Sequence, residues 1–93
     1  MRISELKKDR ISEQILAFLY SIYPKLIFTS HIAMEIVRDE EFVKSLLLSL
    51  KKKGLIIEVK KNPKGIPYSK RARWTLSDSA YEKYKKYQQH QNN

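Results

Sequence analysis

The chain has no cysteine, and only two of its 93 residues are glycine. The first absence excludes disulfides and thiolate metal sites and fits a reducing compartment. The second excludes a glycine-rich phosphate loop, because Gly54 and Gly65 stand well apart. Histidine is equally scarce. His31 and His90 are distant in sequence and have no carboxylate cluster beside them, so no metal site is expected and no nucleophile–base grouping is visible. The longest apolar run, Ile15 to Tyr23, is too short to span a bilayer. The first residues carry Arg2, Glu5, Lys7 and Lys8 without an apolar segment, so no secretory signal is expected. These absences predict a non-enzymatic cytoplasmic protein with no cofactor, no metal, no membrane partner and no evident small-molecule ligand. A single domain is expected over residues 1–93, with residues 1–8 as an N-terminal extension and 88–93 as a frayed polar tail.

Positive charge, by contrast, is abundant and unevenly placed. Nineteen Lys and Arg face ten Asp and Glu, a formal net charge of +9. Residues 1–43 hold six basic and seven acidic side chains, a balance of −1, whereas residues 44–93 hold thirteen and three, or +10. Such an excess suits a solubilising surface as well as a polyanionic partner, and only the fold gives it direction.

Hydrophobic spacing supplies that fold. Ile11, Ile15, Phe18, Leu19 and Ile22 recur at helical spacing and predict a first helix from Asp9 to Tyr23, stopped by Pro24. Leu26 to Phe28 reads as a short extended segment. Thr29 or Ser30 is expected to cap a second helix reaching Val37. Asp39 is the expected cap of a third helix over 40–53, with Val43, Leu46, Leu47 and Leu50 on one face and Gly54 as its left-handed terminator. Leu55 to Val59 is β-branched and reads as a strand. Residues 61–71 contain Pro63, Gly65 and Pro67 and read as a loop. Ala72, Trp74 and Leu76 alternate with Arg73 and Thr75, the period of a half-buried strand, before Ser77 caps a last helix to Gln89. The fold class is therefore α+β: a winged helix-turn-helix with a two-stranded basic wing and an additional C-terminal helix.

Two stretches carry a family resemblance. Val43-Lys-Ser-Leu-Leu-Leu-Ser-Leu-Lys-Lys-Lys-Gly-Leu-Ile56 resembles the recognition helix of MarR- and PadR-type winged-helix regulators as it runs into their first wing strand. Trp74-Thr75-Leu76-Ser77 resembles their aromatic-x-Leu-Thr step from wing to last helix. The likeness extends to small members of the group from archaea and archaeal viruses. It implies a homodimeric, sequence-specific double-stranded DNA-binding protein that regulates transcription. One departure is the acidic start of the third helix, Asp39-Glu40-Glu41, where the family usually places small polar or basic residues. These carboxylates complement the helix dipole but bring negative charge toward phosphates.

Burying Val43, Leu46, Leu47 and Leu50 leaves Glu41, Lys44, Ser45, Leu48, Ser49 and Lys52 outward. Lys44 and Lys52 are the expected phosphate contacts of the recognition helix, and Ser45 and Ser49 its short donors. The expected wing contacts are Lys60, Lys61, Lys64, Tyr68, Lys70, Arg71 and Arg73, a run from Lys60 with six basic residues and no acidic one. Ile3 and Leu6, together with the stripe of Tyr81, Tyr84 and Tyr87, are the expected dimer interface; packing of that stripe on the first helix of its own chain is the alternative. Two further readings stay open: an architectural or plasmid-partition protein that coats DNA with little sequence preference, and a winged-helix module that binds protein or RNA.

Overall fold

In a computed structural model the backbone is described for residues 4–60 and 71–91. Helix α1 covers Glu5–Ile22, strand β1 Ile27–Phe28, α2 Thr29–Ile36, α3 Glu40–Lys52, β2 Ile56–Val59, β3 Arg73–Leu76 and α4 Asp78–Gln91. The three strands form an antiparallel sheet in the order β1-β3-β2. Three short strands and three helices share one core. Ile11, Ile15 and Leu19 enter it from α1, Ile32 and Ala33 from α2, and Val43, Leu46, Leu47 and Leu50 from α3. Ile27, Ile56, Trp74 and Leu76 close it from the sheet.

Helix α3 follows its sequence closely. The Asp39 carboxylate accepts from Phe42 N–H at 3.1 Å, and Lys51 and Lys52 lie in the last turn, each complementing one end of the dipole. At its far end Gly54 N–H bonds Lys51 O, Leu55 N–H bonds Leu50 O, and Gly54 has φ +78°. Nothing lies within 4 Å of where a Cβ would sit. The backbone angle, not lack of space, is what calls for glycine there.

Several expectations change. Helix α1 starts at Glu5, not Asp9, because Ser4 Oγ accepts from Lys7 N–H at 3.2 Å and caps it; part of the supposed extension is thus helix. Neither Thr29 nor Ser30 caps α2. Phe28 holds that position without a side-chain bond, and the Thr29 hydroxyl instead accepts from Trp74 Nε1 at 2.8 Å. Thr75 is buried, not outward, on β3, the central strand of the sheet. The turn between α2 and α3 closes on Val37 at φ 56°, ψ 56°, with Arg38 N–H bonded to Ala33 O at 3.0 Å. A β-branched residue in the left-handed region costs on the order of 1–3 kcal/mol, and here it sits exposed in the helix-turn-helix corner.

Ser77 joins three elements. Its N–H bonds Leu55 O, its hydroxyl donates to Gly54 O at 2.9 Å, and the same oxygen accepts from Ala80 N–H at 3.2 Å. Helix α4 then lies on the end of α1. Tyr81 stacks on Tyr23 with centroids 4.0 Å apart, and Tyr84 meets Tyr20 at 4.6 Å. The Tyr23 hydroxyl donates to Asp78 Oδ1, which, with some burial, raises the pKa of that phenol.

Candidate nucleic-acid interface

The outward side of α3 and the base of the wing do not lie on one flat surface. Between them runs a groove of about 520 Å³. One wall is the stripe Glu40, Lys44, Leu48 and Lys51 of α3, which spacings of four and three place on one side of the helix. The other wall is Glu58, Lys60, Arg71 and Ala72, where β2 leaves and β3 enters the wing. Phe28, Thr29 and Ser30 close the end, at the start of α2.

Each wall is built by the local structure. Lys44 and Leu48 face outward because Val43, Leu46, Leu47 and Leu50 occupy the inward arc. The Arg71 guanidinium lies 5.6 Å from the centre of the Phe28 ring, which fixes the wing base against β1. The free N–H groups at the start of α2 have no side-chain cap and open toward Thr29 and Ser30, a favourable end for negative charge. Lys51 Nζ lies 2.8 Å from Glu58 Oε1, and Lys60 Nζ lies 3.8 Å from Glu58 Oε2.

Of the residues expected at the interface, the structure brings Lys44, Lys60 and Arg71 into this groove. Ser45, Ser49 and Lys52 are exposed on α3 but on the neighbouring stripe, outside the groove's lining. The Ser45 hydroxyl donates to Phe42 O at 2.6 Å. Its proton is therefore committed, and toward nucleic acid it presents an acceptor where a donor was expected. Arg73 is half-buried within β3, opposite Phe28 and Val59. Lys61, Lys64, Tyr68 and Lys70 lie outside the described residues, as does Ile3. Tyr81 and Tyr84 stack within the chain, while Leu6 and Tyr87 stay 63% and 60% exposed.

Sequence reasoning missed Lys51, Glu58, Thr29 and Ser30 as groove residues. For Lys51 a signal existed, since it falls one turn beyond Leu48 on the stripe that begins at Lys44. The others come together only through long-range packing. Among the described residues, no three His, Cys, Asp or Glu side chains form a metal-binding group, and no helix is long and apolar enough to cross a membrane.

No protein-family model matches the chain, and no curated protein does. Solved structures do. An S. aureus MepR–DNA complex superposes with a TM-score of 0.72 at 20% identity, over 89% of this chain and 65% of that one. Lactococcus lactis ZitR, as a C30AH42A mutant in apo form, gives 0.69 at 19% identity, over 92% and 60%. A further structure of MepR, a transcription regulator of the Staphylococcus aureus multidrug efflux pump MepA, gives 0.63 at 22% identity, over 77% and 49%. The chain thus spans between half and two thirds of the length of these structures. MepR and ZitR are winged-helix regulators of the MarR type, and this chain has their winged-helix fold.

Proposed function

We propose that the chain is a sequence-specific double-stranded DNA-binding protein, acting as a homodimer in the cytoplasm to regulate transcription. The observation that carries this reading is the groove in which Lys44 of α3, Lys60 and Arg71 of the wing base, and the uncapped start of α2 converge. Three independent elements aim positive charge or free N–H groups at one concave strip, which suits a phosphate backbone better than a compact ligand. The fold similarity to MepR, solved in complex with DNA, supports duplex DNA as the partner.

Phosphates held there would set the register of α3 on the duplex. The neighbouring stripe, with Ser45 as acceptor and Ser49 beside it, would then lie nearest the base edges. An acceptor at that point favours the amino groups of adenine or cytosine. Exposed Leu6 and Tyr87, at opposite ends of the chain, supply apolar surface for pairing two copies. Pairing would place two α3 helices on half-sites about one DNA turn, roughly 34 Å, apart.

A second reading, DNA coating with little sequence preference, is favoured by one feature. Glu40 lines the groove and Glu41 is exposed beside it, so the start of α3 repels phosphate where regulators usually attract it. Titrating a selected duplex and a random one separates the two. A regulator will prefer its selected site by about a thousandfold or more, with two chains per site. Equal affinity for both duplexes would make it a coating protein, one chain per site would remove the dimer, and no binding at low salt would favour a protein or RNA partner.

A further inference from the structure

Glu58 occupies a position where the fold asks for an apolar side chain. On β2 it follows Ile56 by two residues and so shares its inward face, and its cross-strand partner is the fully buried Trp74. Its side chain is only 7% exposed. Yet it is a carboxylate, set in the sheet wall of the groove, and each of its oxygens meets a different lysine. Lys51 on α3 holds Oε1 and Lys60 at the wing base approaches Oε2, while the two lysine side chains remain 48% and 67% exposed.

The arrangement joins the two walls of the groove through a buried anion. As a brace alone it is a weak device, because exchanging a buried ion pair for well-packed apolar groups is often neutral or stabilising. Its electrostatic consequence is larger. A phosphate entering the groove between Lys51 and Lys60 meets cations that are already balanced, and it meets the carboxylate behind them. Resting on the DNA-binding reading, we propose that Glu58 is a built-in counter-anion. In the free protein it stands in the place of a DNA phosphate between Lys51 and Lys60, and it thereby limits how tightly duplex of any sequence is held. Affinity not dependent on sequence is held down, and contacts that read bases gain relative weight.

The test measures binding of a random-sequence duplex by fluorescence anisotropy across a salt series, using wild type, Glu58→Gln and Glu58→Leu. Each lysine released to a phosphate steepens the slope of log affinity against log salt by about 0.9, which amounts to about eightfold tighter binding over one decade of salt. Both variants are expected to tighten binding and steepen the slope. Lys51→Ala is expected to cost more affinity in the Glu58→Gln background than in wild type. If Glu58→Gln lowers the melting temperature, Glu58→Leu, which fits the inward face, keeps the test decisive. Unchanged or weaker binding by both variants would overturn the proposal and leave Glu58 as a brace between wing and helix. Wild-type binding with its own salt dependence upholds the DNA reading whatever the variants do, and its absence removes that reading itself.

Discussion

A roughly tenfold rise in salt is expected to weaken duplex binding by about five to seven orders of magnitude. The estimate assumes that a dimer covers roughly five to eight phosphates, each adding about 0.9 to the slope of log affinity against log salt. The charge needed is present: from Lys44 onward the chain carries thirteen basic and three acidic residues, and Lys44, Lys60 and Arg71 line one groove. The acidic start of α3 and the Glu58 carboxylate pull the slope toward the lower end. Anisotropy titrations at several salt concentrations read it directly. A slope near zero would mean that the groove binds through apolar or neutral contacts, and the phosphate reading would fall.

Trp74→Ala is expected to destabilise the fold by about 3–5 kcal/mol, the usual range for removing a buried aromatic. Trp74 is fully buried at the centre of the sheet, paired with Ile27 on one side and Glu58 on the other, and its Nε1 donates to Thr29 Oγ1 at 2.8 Å. Its loss leaves a cavity, orphans the Thr29 hydroxyl and frees the start of α2 at the end of the groove. Small domains have only about 5–15 kcal/mol in all, so much of the population is expected to unfold near body temperature. Chemical denaturation followed by circular dichroism measures this, since the variant lacks the chain's one tryptophan. Trp74→Phe, which keeps most of the packing but not the hydrogen bond, is expected to cost about 1–2 kcal/mol. Equal losses in the two variants would put the stabilisation in the hydrogen bond instead of the packing.

The parts of the fold that sequence made legible are those set by local chemistry. In α3, the inward arc of Val43, Leu46, Leu47 and Leu50, the Asp39 cap and the Gly54 terminator all agree, because each depends on residues within a turn or two. Ser77 was readable for the same reason. Val37 was not: the usual signal for a left-handed helix end is glycine or asparagine, and an exposed valine there carries no such signal. Thr29 was misread because its hydroxyl is taken by Trp74, 45 residues away in the chain. Thr75 was misread because alternation assumes one open face, whereas this residue of the central strand is buried.

The candidate site divides along the same line. Lys44, Lys60 and Arg71 could be named from their place on an outward helix face or at a wing base. Their convergence with Thr29 and Ser30 depends on β1 pairing with β3, which sets the start of α2 beside the wing. The inward register of Glu58 depends likewise on the pairing of β2 with β3. Strand register of this kind is a long-range property and leaves only a weak trace in a short sequence.

The central claim, that duplex DNA lies in the groove between α3 and the wing base, is tested most directly by titrating isotope-labelled protein with duplex and following its backbone amide resonances. The expected result is that Thr29, Ser30, Lys44, Leu48 and Arg71 shift together and saturably, while Tyr20, Tyr23 and Ser77, which do not line the groove, move little. Shifts confined to α1 and α4, with the groove amides unmoved at saturation, would contradict it.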